Sequence, residues 1–110
     1  MRWSECESYL AQIILEHVED QESPWDEQDR GAVGWMIASE TTGFIGAHFS
    51  FEMGLWQDYE RQIKKIVEGE IDDLDPSSGE SKWLFVGHVA DLIASFIYEH
   101  FGLEGDKPNG

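Results

Sequence analysis

The sequence predicts an α+β fold, in which helices pack on one face of a small antiparallel sheet. Two periodic patterns indicate this class. Apolar residues recur every three or four positions near the N-terminus and again in residues 55–68, which is the period of an amphipathic helix. Between these regions, residues 44–53 alternate apolar with small or polar side chains, which is the period of a half-buried strand. The predicted order is an N-terminal helix, a β-hairpin and two further helices.

The first predicted helix spans residues 4–20. Ser4 and Glu7 have the spacing of a capping box, in which each side chain accepts a hydrogen bond from a backbone N–H at the start of the helix. The apolar positions that follow share one face, and they are Cys6, Tyr9, Leu10, Ile13, Ile14, His17 and Val18. Because Cys6 belongs to this face, we expect a buried thiol and not a reactive one.

Residues 31–39 and 44–53 predict the two strands of a β-hairpin. Residues 40–43 form the predicted turn, in which Gly43 would supply a positive φ. One side of the first strand holds Val33, Trp35 and Ile37. The apolar side of the second strand holds Ile45, Ala47, Phe49, Phe51 and Met53. Two strands make a marginal sheet, so a third strand or a second copy of the chain would complete it.

Two more helices follow the predicted hairpin. The second spans residues 55–68, with Gly54 before it and Gly69 at the position of a C-terminal cap. The third carries an apolar stripe through residues 89–101 and ends at Gly102. Residues 82–86 are compatible with the start of this helix or with a third strand, because a short apolar run has no diagnostic period. We favour the helix.

The length and composition predict one domain. A chain of 110 residues with 41% hydrophobic residues can bury a core of its own. We expect residues 1–102 to form this domain and residues 103–110 to be a mobile polar tail. The single cysteine excludes an intramolecular disulfide, and the N-terminus lacks the apolar region of a signal peptide, so we predict a cytoplasmic protein.

Charge is the strongest functional signal. The chain has 23 acidic and 7 basic residues and a formal net charge of -16. Such a charge disfavours nucleic acid or an anionic membrane as a direct partner, and it exceeds the net charge of about 2–8 that solubility requires. The carboxylates concentrate in two segments. The first contains Glu16, Glu19, Asp20, Glu22, Asp26, Glu27 and Asp29, and the second contains Asp72, Asp73 and Asp75.

These segments predict a non-enzymatic inhibitor that docks on the basic nucleic-acid-binding or active site of a partner protein, such as a nuclease. Carboxylates would occupy the places of phosphates, and charge complementarity would speed association. Trp25, inside the first segment, would be an aromatic anchor within a charged rim. In size and acidity the chain resembles toxin-neutralising immunity proteins, DNA-mimic proteins and phage anti-defence inhibitors. The alternative explanation is an acidic surface that serves solvation alone.

Two other function classes are compatible with the sequence. One is a small dimeric protein like a secretion chaperone, which would bind an extended client along its sheet or in apolar grooves, with little dependence on salt. The other is a small enzyme or ligand-binding domain that would use His48, His88 and Asp91. The sequence contains no nucleophile elbow, phosphate-binding loop, dinucleotide fingerprint or zinc-ligand spacing. We therefore predict no enzymatic activity, no metal and no cofactor.

Overall fold

The computed structural model describes residues 2–18, 27–49, 51–71 and 79–103, with the side chains of residues 27–29 excepted. They form four helices, and a short 3₁₀ turn, Met53–Leu55, precedes the third. The helices are α1 Trp3–Val18, α2 Glu27–His48, α3 Trp56–Ile71 and α4 Gly79–Phe101. No β-strand is present in these ranges. The α+β prediction is therefore wrong, and the fold is a helical bundle.

Side-chain contacts between consecutive helices show that they run antiparallel. Between α1 and α2, the Tyr9 ring lies 6.4 Å from the His48 ring, whereas His17 lies 3.0 Å from Glu40. Between α2 and α3, a Cβ on Gly46 would lie 3.2 Å from the Trp56 ring, while Lys64 lies over the Trp35 ring. In both pairs the early part of one helix therefore meets the late part of the next.

The last helix closes the bundle against the first. Tyr59 and Phe101 rings lie 5.4 Å apart, and Glu70 lies 3.4 Å from His88, so α3 and α4 are antiparallel. The Trp3 ring lies 5.8 Å from the Tyr98 ring, near the C-terminus of α4. The topology is therefore that of an up-down-up-down four-helix bundle, in which α4 neighbours both α3 and α1.

Three of the helices bury an apolar stripe of the predicted period. On α1 the buried residues are Trp3, Cys6, Leu10, Ile14 and Val18. On α3 they are Ile63, Val67 and Ile71. On α4 they are Phe85, Val86, Val89, Ala90, Ile93, Ala94, Phe96 and Ile97. The predicted capping box is not formed, because α1 begins at Trp3 and the Trp3 indole N–H donates to Glu7 at 2.9 Å.

The predicted hairpin is replaced by α2, which includes residues 31–39, the turn at 40–43 and residues 44–48. Its buried positions follow the helical period, and they are Val33, Ile37, Ala38, Thr41, Thr42 and Ile45. The polar pair at the centre fits a helix because the Thr42 hydroxyl donates to the Ala38 carbonyl oxygen at 2.7 Å. The Thr42 hydroxyl is therefore hydrogen-bonded within the helix, and it does not require the predicted turn.

The alternating pattern of residues 45–53 spans a helix end and the connection that follows it. Ile45 is buried within α2, while Ala47 is exposed near its C-terminus. Phe49 and Phe51 lie beyond the helix and stack near Phe101, at centroid distances of 5.3 and 6.0 Å. Met53 is 77% exposed. The alternation therefore does not define one face of one element.

Of the two C-terminal glycine caps predicted for the last two helices, only the second is present. Gly69 lies inside α3, so it is not the predicted cap. Gly102 does cap α4, since its φ is 80° and its N–H donates to the Tyr98 carbonyl at 3.1 Å. Residues 82–86 belong to α4, as favoured. Of the predicted tail, Leu103 packs against the core and residues 104–110 lie outside the described residues.

Gly87 provides a test of α4. A Cβ at this helical position would meet no atom within 4 Å, so Gly87→Ala removes backbone entropy of the unfolded chain without a clash. We expect the free energy of unfolding in urea to rise by about 0.5–1 kcal/mol. Gly46→Ala is the control, because its Cβ would lie 3.2 Å from the Trp56 ring and so gain less. A destabilised Gly87→Ala variant would contradict a continuous α4.

Thr41 provides a second test, this time of the bundle core. Its hydroxyl is fully buried and has no hydrogen-bond partner among the described residues. We expect Thr41→Val to raise the free energy of unfolding by about 1 kcal/mol, because a methyl group replaces an unsatisfied hydroxyl of similar size. Thr42→Val is the control at the next residue. It removes the hydrogen bond from the Thr42 hydroxyl to the Ala38 carbonyl, so the free energy of unfolding should not rise. Equal effects of the two substitutions in urea unfolding would contradict this assignment.

Candidate binding surface

Three of the acidic residues selected from the sequence belong to described helices, at one end of the bundle. Glu16 is exposed in the last turn of α1, and Glu27 and Asp29 belong to the first turn of α2. The remaining predicted contact residues lie outside the described residues, and they are Glu19, Asp20, Glu22, Trp25, Asp26, Asp72, Asp73 and Asp75. Their predicted role as contact residues stays a prediction.

The two acidic segments both connect helices at the same end of the bundle. Residues 19–26 join α1 to α2, and residues 72–78 join α3 to α4. Because consecutive helices are antiparallel, chain connectivity attaches both segments to the same end of the bundle, which we call the acidic end. Residues 16–29 and 70–80 contain 12 of the 23 acidic residues of the chain. Among the described residues, Glu16, Glu70 and Glu80 belong to helix ends at the acidic end.

Cations also lie in the half of the bundle that includes the acidic end, but they are fewer. Lys64 pairs with Glu68 one turn later in α3, and its Nζ lies 4.7 Å from the centroid of the Trp35 ring. The other basic residues in this half are Arg30, Lys65 and Lys82. The surplus of carboxylates is therefore only partly offset.

A groove of about 730 Å³ lies along α1 and the beginning of α4. Its polar lining consists of Ser4, Glu5, Ser8 and Gln12. Its apolar and aromatic lining consists of Tyr9, Ala11, Leu15, Trp83 and Val86. The α1 residues extend over three helical turns, which corresponds to a length of about 16 Å. The groove reaches the acidic end, since Leu15 and Trp83 come from the turns of α1 and α4 nearest to it.

Two consecutive large apolar side chains near the start of α4 are exposed, and the first of them, Trp83, lines the groove. Trp83 and Leu84 are each 68% exposed, whereas the next two residues, Phe85 and Val86, are buried. A pair of exposed apolar side chains on a strongly charged protein is a common feature of interaction sites. The sequence analysis missed this pair because it treated residues 82–86 as one apolar run. In a helix, four consecutive apolar residues cannot all face the core, and that signal was available.

The histidines do not converge on this groove. His48, near the end of α2, lies 4.6 Å from the Phe44 ring and 6.4 Å from the Tyr9 ring, between centroids. His88, on α4, faces Glu70 of α3, and neither histidine nor Asp91 lines the groove. His17 Nε2 lies 3.0 Å from Glu40, without the alignment of a hydrogen bond. Across the described ranges, no three His, Cys, Asp or Glu side chains are grouped so that they could hold a metal ion.

Cys6 lies in the core and not on the candidate surface. Its side chain is fully buried, as predicted for the apolar face of the first helix. Burial raises the pKa of the Cys6 thiol from 9.0 to about 11, and the neighbouring Glu7 carboxylate adds to this effect, while the N-terminal charge opposes it. The thiol is therefore protonated and inaccessible in the folded protein near neutral pH.

The raised pKa predicts how stability depends on pH. The unfolded chain loses the Cys6 proton at lower pH than the folded chain, so the free energy of unfolding should fall between about pH 9 and pH 11. We expect this thiol to contribute a slope of up to about 1.4 kcal/mol per pH unit. Cys6→Ala should lack this contribution. The free energy of unfolding in urea is measured against pH for both proteins, and the difference between them separates the thiol from the tyrosines, which both proteins contain. Identical slopes would contradict the burial of Cys6.

Comparison with protein-family models, curated proteins and solved structures finds no match to this chain. The class is therefore defined by the chain's own features, which are those of an acidic, antiparallel four-helix bundle with a groove beside its acidic end. Within the described ranges, no helix combines the length and the apolar character required to cross a membrane.

Proposed function

We propose that the protein is a non-enzymatic, acidic binding protein that docks on the basic surface of a partner protein and inhibits it. The observation that supports this proposal is the topology, which attaches two acidic segments to one end of the bundle. The partner is a nuclease or another nucleic-acid-binding protein. Its basic site binds phosphates, whose charge and spacing a dense set of carboxylates can imitate.

Electrostatics supports a binding role over a role in solvation alone. Carboxylates crowded at one end of a small bundle repel each other and destabilise the folded state. Solvation does not require them to gather at one end, because charges spread over the surface serve it equally well. A basic partner neutralises the repelling carboxylates in the complex. Before contact, the negative field of the free protein attracts the partner and raises the association rate.

We further propose the cytoplasm as the compartment in which the protein acts. Cys6 is buried as a free thiol, which is compatible with a reducing environment. The partner class is consistent with this compartment, because nucleic-acid-handling proteins act there.

The two alternative function classes receive less support. Binding of an extended client along a sheet requires a sheet edge, and the described part of the chain contains no strand. Binding of such a client in an apolar groove is not opposed by the fold, and its weak dependence on salt would distinguish it from electrostatic docking. A site built from His48, His88 and Asp91 requires these residues to share a pocket. His48 and His88 instead belong to α2 and α4, which are not neighbours in the ring of helices.

A capture experiment followed by charge reversal tests the proposal. The chain is used to capture proteins from lysate of its native host, and bound proteins are eluted in steps of rising salt. We expect a basic protein that elutes at moderate salt and whose nucleic-acid binding or nuclease activity falls when the acidic protein is added. A captured protein whose activity is unaffected would contradict inhibition.

The triple variant Glu19→Lys, Glu22→Lys and Asp26→Lys then tests the acidic end. We expect association with the captured partner at low salt to slow by about 10-fold or more and to depend less on salt. The matched control reverses Glu52, Asp58 and Glu99, which are exposed carboxylates at the opposite end, for the same change in net charge. The association rate constants are measured by surface plasmon resonance. An equal decrease for both triple variants would show that the association rate depends on net charge and not on the acidic end.

A further inference from the structure

We infer that the groove between α1 and α4 is the docking site for an amphipathic, basic helix of the partner, with Trp83 as the anchoring side chain. The inference rests on the proposed function, because it takes the partner to be a basic protein. It adds a second contact surface, with its own chemistry, to the acidic segments.

The groove offers an apolar floor. Ala11 and Leu15 of α1 and Val86 of α4 line it, and the Trp83 indole forms part of its wall. Trp83 is 68% exposed, so a partner can still bury most of its surface. Tryptophan is among the residues that contribute most to binding when it becomes desolvated at an interface.

Carboxylates flank this floor and specify the charge of the occupant. Glu5 lines the groove, Glu16 is exposed directly after Leu15, and Glu80 is exposed one turn before Trp83. The nearest cations in sequence are Arg2 and Lys82. A helix with an apolar stripe between Lys and Arg side chains would match this arrangement of apolar floor and acidic rim.

Charge and backbone chemistry favour this occupant over two others. A second copy of the chain, with a net charge of -16, would bring Glu5, Glu16 and Glu80 against the same carboxylates. An extended segment would find no strand edge for its backbone hydrogen bonds, because the described ranges contain no strand. A helix satisfies its own backbone, and about eleven residues of it span the 16 Å of the groove.

Two synthetic peptides test the inference on the full chain. The first is an amphipathic helix of Leu and Lys of about fourteen residues, and the second replaces each Leu by Ser at the same net charge. Binding is measured by isothermal titration calorimetry at moderate salt, and the site is mapped by amide chemical shifts in NMR. We expect the Leu–Lys peptide to bind at least about 10-fold more tightly and to shift amides of α1 and the first turns of α4.

The variant Trp83→Ala identifies the anchor. We expect it to weaken binding of the Leu–Lys peptide by about 10-fold or more. Trp35→Ala is the matched control, because Trp35 is 46% exposed and lies on α2, away from the groove. It should change the affinity by less than about 2-fold. Far-UV circular dichroism of both variants establishes that they retain the helical fold.

The outcomes separate this inference from the proposed function. Equal affinity for both peptides, or equal affinity of wild type and Trp83→Ala for the Leu–Lys peptide, would overturn the groove as the docking site and leave electrostatic docking intact. If the acidic-end reversal leaves association with the captured partner unchanged, the proposed function fails. In that case the peptide titrations still show whether the groove binds a basic amphipathic helix.

Discussion

The packing of α4 against α1 is the contact on which the candidate surface depends. It closes the ring of helices through a core in which Leu10, Ile14, Ile93 and Ile97 are all fully buried. Because the two helices are antiparallel, the first turns of α4 lie beside the last turns of α1. This contact creates the groove, and it also places Glu80, in the first turn of α4, at the same end of the bundle as Glu16.

The two ends of the bundle have different physical roles. At the end opposite the acidic one, rings from the α2–α3 connection, α3 and α4 form one cluster that contains Phe49, Phe51, Trp56, Tyr59, Phe96 and Phe101. Aromatic pairs of this kind contribute about 0.5–1.5 kcal/mol each beyond their buried area. The cluster therefore stabilises the fold at a distance from the repelling carboxylates, so the acidic end can keep its charge without being the main source of stability.

Sequence reasoning identified the elements whose hydrophobic period is clear and failed where it is not. The stripes of α1, α3 and α4 have one apolar side each, and Gly102 ends the last helix. In contrast, α2 is apolar around most of its circumference. The alternation in residues 44–53 suggested strands, and Gly43 suggested a turn. The four-residue spacing of Val33, Ile37, Thr41 and Ile45 was the contrary signal. The shared end of the acidic segments could not be derived, because it depends on which helices pack together. The helical period shows that residues 83–86 cannot all be buried, but which of them lines a groove again depends on the packing of the helices.

The two proposed surfaces act at different stages of binding, which explains why a small bundle would have both. The field of the acidic segments extends about 8–10 Å at physiological salt, so it acts before contact and governs the association rate. The groove beside Trp83 acts only once water has left it, and its contribution appears in the dissociation rate. Charge alone would capture many basic proteins. Because an apolar stripe of helical period is much rarer than positive charge, the groove supplies the selectivity that the acidic end lacks.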